Sequence, residues 1–160
     1  MSLETLLNDL KSEQVTFFKI KPKLNTKYKK LNETCIYSLI FIIHFLEHKG
    51  YTLTHICLND FEIHDQILFL TKETHIVELL DDYYIYNETP KEKIEFIPNT
   101  ISYKNNKKFL YVSVGLFMYY VITKQIKNDI TNDELDQLEY SKPYYFIKNS
   151  FDKDPCLIYL

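Results

Sequence analysis

Residues 51–64 contain the densest run of potentially reactive side chains. They comprise the segment YTLTHICLNDFEI, residues 51–63, and His64. Imidazole, thiol and carboxylate groups of this kind are typical zinc ligands. Alternation along a strand would place His55, Cys57 and Asn59 on one face. Because the spacing matches no established zinc motif, a structural zinc site and a set of half-buried polar residues remain two open interpretations. The cluster comprises His55, Cys57, Asp60 and His64.

A second candidate is HFLEH, residues 44–48, which matches the H-x-x-E-H pattern of one class of zinc peptidases. In that pattern two histidines bind the metal and the glutamate acts as general base. The helical period puts His44 and His48 on one face, with Glu47 beside them. The sequence identifies no third ligand. A zinc-dependent hydrolase is therefore an alternative to the simpler interpretation, in which His48 ends a buried helix.

Two predicted helices precede the first candidate cluster. Ser2 can cap a short helix over SLETLLNDLK, and a lysine-rich loop with Pro22 follows. A second helix is predicted to begin between Asn25 and Asn32 and to end at Gly50, which can adopt a left-handed cap. From Cys35 onward this helix is apolar nearly all round, which predicts a central, buried element.

The pattern then changes to short strands. HICLNDFEI and QILFLTK predict two strands joined across HDQ, and THIVEL predicts a third. Residues 81–106 are loop-like, since they contain Pro90, Pro98 and many polar residues.

The remainder of the chain favours helices. KKFLYVSVGLFMYYVITK is long enough to favour a second buried helix. Thr131 and Glu134 have capping-box spacing, and Pro143 suits the first turn of a last helix. We expect one mainly α (α+β) domain over residues 1–160, with a small β-hairpin.

Composition limits the possible functions. A net charge of −3 argues against nucleic-acid binding by bulk electrostatics. The chain has three cysteines, Cys35, Cys57 and Cys156. Because their number is odd and none of them has C-x-x-C spacing, they favour a reduced intracellular compartment. The apolar run CIYSLIFIIHFL is short for a membrane span, so we expect a soluble protein. Abundant Asn, Lys, Ile and Tyr indicate AT-rich coding, as in some large DNA viruses and intracellular parasites.

Four segments in order resemble the C-terminal lobe of protein kinases. MSLETLL resembles the segment after the hinge, and IYSLIFIIHFLEHKGY resembles the helix before the catalytic loop. YVSVGLFMYYVIT resembles the buried helix that commonly contains Tyr-Ser-Leu-Gly, and FIKNSFDKDP resembles the terminal helix. The resemblance implies a kinase C-lobe-like helical domain.

The positions at which that family performs phosphoryl transfer are changed. When H-R-D-L-x-x-x-N is aligned with LTHICLND, His55 stands at the catalytic aspartate, Cys57 at the lysine and Asp60 at the asparagine. TKET, residues 71–74, replaces D-F-G, and FIPNT replaces A-P-E. Leu110 stands where an aspartate usually opens the buried helix.

The resemblance therefore implies a degenerate pseudokinase. Neither a Gly-rich loop nor the Lys-Glu pair of an N-lobe has a counterpart, and Gly50 and Gly115 are the only glycines. We expect no catalytic residue, no cofactor or nucleotide, and no resident metal. An uncovered upper face and 25 Tyr and Phe side chains favour a protein partner or self-association. The leading hypothesis is a non-catalytic interaction or scaffold protein, for example a viral or parasite assembly component.

An enzymatic alternative keeps the kinase resemblance. It is a split kinase completed by an N-lobe on a partner chain, in which Asp60 or Glu73 holds the metal.

Overall fold

The computed structural model describes residues 2–20, 31–81, 95–99 and 106–159. In these ranges the chain forms five α-helices and six short strands, an α+β arrangement as predicted. The strands associate as three antiparallel pairs, β1–β5, β2–β6 and β3–β4. The elements are α1 (Leu3–Phe18), α2 (Ile36–His48), β1 (Tyr51–Leu53), β2 (Ile56–Cys57), β3 (Phe61–His64), β4 (Ile67–Leu70), β5 (Ile76–Glu78), β6 (Glu95–Phe96), α3 (Lys107–Thr123), α4 (Asn132–Asp136) and α5 (Lys142–Ser150).

Helix α1 begins as predicted and ends later than predicted. The Ser2 hydroxyl accepts a hydrogen bond from the Thr5 N–H at 3.1 Å, which confirms the N-cap. The helix continues to Phe18, well beyond the predicted end at Lys11, and Gln14 in this added part is buried and donates to the Leu68 carbonyl. Lys19 then adopts a left-handed conformation with φ 52° and terminates the helix.

Helix α2 is preceded by a 3₁₀ turn, Glu33–Cys35, which Asn32 caps. Cys35 is fully buried, in agreement with the buried element predicted from this residue onward. The helix ends before Gly50, which has φ +83°, as the glycine cap predicts. The expectation that the helix is buried all round is wrong on one side, where Tyr37 is 46% exposed and His44 is exposed.

The predicted hairpin forms between β3 and β4. Its turn residues Asp65 and Gln66 both have positive φ, 50° and 67°, which is the type I′ geometry of two-residue hairpins. The single strand predicted for HICLNDFEI is wrong, because a 3₁₀ turn at Leu58–Asp60 separates β2 from β3. The third predicted strand is confirmed as β5, which pairs with β1.

The C-terminal helices agree with the sequence patterns. Helix α3 is buried along most of its length. Thr131 and Glu134 form the predicted capping box at α4. Pro143 lies in the first turn of α5, and Ser141 caps that helix. Within the part of the chain that the structure describes, no helix is both long and apolar enough to cross a membrane.

Two predicted loops lie mostly outside the described residues. The lysine-rich loop over residues 19–30 is described only up to residue 20. The segment predicted as loop over residues 81–106 contains β6, which pairs with β2. Most of its other positions are outside the described ranges.

Candidate functional site: a buried histidine–carboxylate cluster

The antiparallel pair β2–β6 brings the first functional side chains together. Cys57 lies directly opposite Glu95 in this pair. Residues opposite each other share a face of the sheet, and residues two apart on a strand share it as well. Glu95 is therefore close to Cys57 and to His55. The His55 Nε2 atom lies 3.1 Å from Glu95 Oε1.

Helix α3 supports both strands of this pair through Ser113. The Ser113 hydroxyl accepts a hydrogen bond from the Ile56 N–H at 2.9 Å and donates one to the Phe96 carbonyl. Ser113 is completely buried, so these backbone groups depend on its hydroxyl rather than on water.

The pair β1–β5 brings a second imidazole to the same place. Leu53 pairs with Ile76, and the Thr54 N–H donates to the His75 carbonyl at 3.0 Å. Residues that follow β1 and precede β5 are therefore adjacent in space. The rings of His55 and His75 lie with their centroids 4.4 Å apart.

Asp60 joins the cluster from the 3₁₀ turn between β2 and β3. Its carbonyl accepts a hydrogen bond from the Thr71 N–H at 2.9 Å, which ties the turn to the end of β4. Its carboxylate oxygen Oδ2 lies 2.5 Å from His75 Nδ1. We call the set His55, Asp60, His75 and Glu95 the histidine–carboxylate cluster.

The Nε2 atoms of both imidazoles in this cluster converge on one oxygen. His55 Nε2 and His75 Nε2 lie 3.1 Å and 3.3 Å from Glu95 Oε1. All four side chains are buried, with exposed fractions of 9% or less. Burial disfavours the charged imidazole and lowers the pKa of His55, although Glu95 opposes this effect. His55 is therefore a neutral donor or ligand at pH 7.

The structure brings together three of the four residues that the sequence predicted to cluster. His55, Cys57 and Asp60 are buried in one region, and a Cys57–Asp60–His75 group has its ligand atoms within 4.8 Å of one another. The inclusion of His64 is wrong: its Nε2 lies 3.7 Å from Glu62 and its ring packs against Phe69.

Two members of the cluster were missed, and one predicted neighbour is elsewhere. His75 lies in the predicted third strand, THIVEL, and Glu95 lies in a segment predicted as loop. Neither position has a local signal, because only the strand pairing places them beside His55. Asn59 is exposed, since the 3₁₀ turn ends the alternation at Cys57.

The H-x-x-E-H candidate lies on the outside of α2. His44 Nδ1 is 3.8 Å from Glu47 Oε2, and the Tyr111 hydroxyl donates to Glu47 at 2.7 Å. The nearby Glu47 carboxylate raises the pKa of His44. Burial acts to raise the pKa of Glu47, but the nearby His44 imidazole and the hydrogen bond from Tyr111 outweigh it and lower that pKa. The geometry is that of a surface pair beside a tyrosine.

The segment aligned with D-F-G lies on a polar surface. Residues 71–74 are all exposed, and they line a cavity of about 530 Å³ together with Glu4, Leu7 and Lys11 of α1. Lys72 and Glu73 are therefore at the surface, whereas the Asp60 carboxylate is turned into the interior toward His75.

A larger, mainly apolar groove lies between α1 and α2. Its volume is about 700 Å³. Phe17 is 66% exposed, and its ring centroid lies 5.0 Å from that of Phe41. We call this concavity the α1–α2 groove; its apolar lining consists of Phe17, Phe18, Tyr37, Ile40, Phe41 and Phe45.

Comparison with known proteins identifies no relative. No protein-family model matches this chain, and no curated protein or solved structure matches it either.

Proposed function

We propose that this protein is a non-catalytic interaction module that binds an amphipathic helix of a partner protein in the α1–α2 groove. The observation that carries the proposal is the exposure of aromatic side chains along that groove. Phe17 is 66% exposed and Tyr37 is 46% exposed, and they belong to opposite walls. Aromatic residues are enriched at protein interfaces, where rigid rings add contact area at low entropic cost.

The lining of the groove favours a helical occupant. A groove between two helices is a common receptor for an amphipathic helix, whose apolar anchors lie at positions i, i+3, i+4 and i+7. The lining also includes the opposite charges of Glu13 and Lys49. A partner helix that carries one basic and one acidic residue beside its apolar face complements both charges.

Hydrogen bonds to a single strand residue hold the two walls of the groove in position. Gln14 of α1 donates to the Leu68 carbonyl at 2.8 Å, and Ser38 of α2 accepts from the Leu68 N–H at 2.8 Å. All three residues are buried. Because both helices are anchored to the same residue of β4, a partner does not have to order the groove on binding.

The non-catalytic part of the proposal rests on the kinase resemblance together with the cluster geometry. His55, at the position of the catalytic aspartate, is buried against Glu95 and His75. Asp60, at the position of the metal-binding asparagine, is hydrogen-bonded inside the protein. Phosphoryl transfer needs these positions to face nucleotide, metal and acceptor.

The polar surface over residues 71–74 favours an interaction module over a split kinase. The kinase resemblance implies that an N-lobe would cover this side of the domain. Here Lys72 and Glu73 are exposed, so the described surface beside residues 71–74 is polar and does not need a covering lobe. In the split-kinase alternative Asp60 would have to leave His75 in order to bind metal.

A site-specific photo-crosslinking experiment in the native source tests the docking surface. A photoreactive residue at Tyr37 should capture one partner in high yield, whereas the same residue at Tyr145, a comparably exposed tyrosine on α5, should not. Phe17→Asp should weaken association with that partner by at least about tenfold, because it places a charge at an apolar contact. Tyr140→Asp, at a 72% exposed position, is the matched control.

The outcomes of this experiment separate the candidate occupants. Equal capture from Tyr37 and Tyr145, or binding unaffected by Phe17→Asp, contradicts the proposed groove. Crosslinks only between identical chains, with a dimer in solution, would assign the groove to self-association instead.

Calorimetry with Mg-ATP tests the non-catalytic part separately. We expect no saturable binding by the purified protein or by its complex with the captured partner. Saturable ATP binding by that complex, lost in Asp60→Ala, would support the split kinase.

A further inference from the structure

We propose that the histidine–carboxylate cluster is a buried zinc site, in which His55 Nε2, His75 Nε2 and Glu95 Oε1 supply three of the ligands of one Zn²⁺. Each of these three residues offers a ligand atom within 4.8 Å of the other two, and the two Nε2 atoms lie 3.1 Å and 3.3 Å from Glu95 Oε1. Zn–N and Zn–O bonds of about 2.0–2.1 Å in a tetrahedron separate neighbouring ligand atoms by about 3.3 Å. The two nitrogen–oxygen separations therefore match those between ligands around one zinc ion.

The other nitrogen of each imidazole is held by a neighbouring group. His55 Nδ1 lies 2.9 Å from the Thr54 hydroxyl, and His75 Nδ1 lies 2.5 Å from the Asp60 carboxylate. When each Nδ1–H donates to its oxygen, the lone pair of each ring is on Nε2. A carboxylate or hydroxyl behind the histidine is the usual arrangement that orients zinc ligands.

In this tautomeric state, three electron-rich atoms face one point. A cation between the two Nε2 lone pairs and the Glu95 carboxylate would be attracted by all three. Two neutral imidazoles with the carboxylates of Asp60 and Glu95 carry a formal charge of −2, which one divalent ion balances. Mixed nitrogen and oxygen ligands favour zinc over magnesium or calcium, which prefer oxygen alone.

The proposed ligands come from three separate segments of the chain. His55 precedes β2, His75 precedes β5 and Glu95 begins β6. Each of these strands is only two or three residues long. An ion bound to all three ligands would connect the β1–β5 pair to the β2–β6 pair. This role would explain why so many polar side chains lie in the interior at this place.

Metal analysis of the intact protein tests the site directly. Purified protein is stripped with a chelator and titrated with Zn²⁺ in calorimetry, with Mg²⁺ as the comparison ion. We expect one Zn²⁺ per chain, no Mg²⁺ binding, and a Tm increase of about 5–10 °C when free Zn²⁺ is about 100-fold above Kd. Since this test uses the unmodified chain, it does not depend on any variant folding.

Variants then locate the ion. His75→Gln and Glu95→Gln should abolish stoichiometric binding, and Thr54→Val should weaken the affinity about 10- to 100-fold because it releases His55 Nδ1. His64→Gln is the matched control, since His64 is also buried but lies outside the cluster, and it should bind zinc normally.

Two results would overturn the proposal. The first is a wild-type chain that binds no zinc and shows no Tm change, which would make the cluster a purely hydrogen-bonded network. The second is binding that survives His75→Gln and Glu95→Gln and is lost when His44 and His48 are replaced by Ala. That result would place the ion on the outer face of α2.

Discussion

At the scale of single residues, the hydroxyl of Ser113 organises the region of the cluster. It accepts a hydrogen bond from the N–H of Ile56 in β2 and donates one to the carbonyl of Phe96 in β6. Leu110, in the first turn of α3, is fully buried and apolar. One turn later on the same helix, Ser113 supplies the oxygen that holds the strands.

Replacement of Ser113 tests this role. Ser113→Ala leaves a buried N–H and a buried carbonyl without their partner, and an unsatisfied buried group costs about 1–3 kcal/mol. We expect the free energy of unfolding, measured with urea, to fall by at least that amount. Ser12→Ala on the exposed side of α1 is the control and should change stability by less than about 0.5 kcal/mol. Equal effects of both substitutions would contradict the role of Ser113.

The His44–Glu47 pair predicts a pH dependence. The nearby Glu47 carboxylate raises the pKa of His44 in the folded protein above its ordinary 6.5, while burial and Lys107 act in the opposite direction. The pair therefore stabilises the fold fully below pH 6.5, and this contribution is lost as pH rises through the raised pKa. Because His44 is exposed, the contribution is small, about 0.2–0.5 kcal/mol.

NMR titration of the His44 ring provides the measurement. We expect its midpoint to lie above 6.5 in the wild type and to move down in Glu47→Gln, which removes the negative charge. His48→Gln is the control, because it leaves the pair intact. A His44 midpoint that does not change in Glu47→Gln would show that the pair does not form in solution.

At the scale of elements, the two glycines have different physical roles. Gly50 follows α2 with φ +83°, and no atom lies within 4 Å of the position that a Cβ would occupy. Gly115 lies in the middle of α3, where an added Cβ would overlap Ser150 Oγ and come within 3.0 Å of Phe151 Cε2. The first glycine is required by backbone conformation and the second by the close approach of α3 and α5.

Gly50→Ala isolates the backbone effect. We expect a loss of about 1–2 kcal/mol in the free energy of unfolding, since a Cβ disfavours the left-handed conformation even in open space. Gly50→Asn should cost less, because asparagine tolerates this conformation. If alanine and asparagine were equally well tolerated, Gly50 would not be required by its φ angle.

Gly115→Ala tests the close packing of α3 against α5. Overpacking of a buried contact costs about 1–3 kcal/mol, and thermal unfolding should show a lower Tm. The double variant Gly115→Ala, Ser150→Ala should recover part of the loss, because it removes the overlapping hydroxyl. The prediction fails if the double variant is destabilised by the sum of the two single effects or more.

At the scale of the whole molecule, the C-terminal segment packs back onto the start of α2. The Tyr159 hydroxyl donates to Glu33 Oε2 at 2.5 Å, across 126 residues of sequence. The Tyr159 ring also lies 5.1 Å from the ring of Tyr37. Burial and the Glu33 carboxylate raise the pKa of Tyr159, so its hydroxyl remains a donor throughout the neutral range.

Tyr159→Phe tests the contribution of this long-range contact. The ring and its packing remain, so the expected loss in the free energy of unfolding is that of one hydrogen bond, about 1 kcal/mol. Tyr140→Phe removes a hydroxyl from an exposed tyrosine and should have no effect. Urea denaturation of the three proteins in parallel makes the comparison; identical midpoints for all three would contradict the prediction.

Local patterns determined much of the secondary structure. The Ser2 cap, the Thr131–Glu134 capping box, Pro143 in the first turn of α5 and the left-handed Gly50 are all present as predicted. Each is local: the caps depend on side chains that contact backbone within about four residues, and Pro143 and Gly50 depend on the backbone angles that these two residue types favour. The positions of α2, α3 and the β3–β4 hairpin follow from similarly local periodicity.

Only the tertiary structure decided which polar residues form the cluster. His55 was recognisable as a candidate, but Glu95 is 40 residues away and reaches it through the register of β2 with β6. His64, nine residues from His55, points elsewhere because the 3₁₀ turn at Leu58–Asp60 interrupts the strand. Strand pairing over such separations depends on how α3 packs beneath both strands, and no short stretch of sequence encodes that packing.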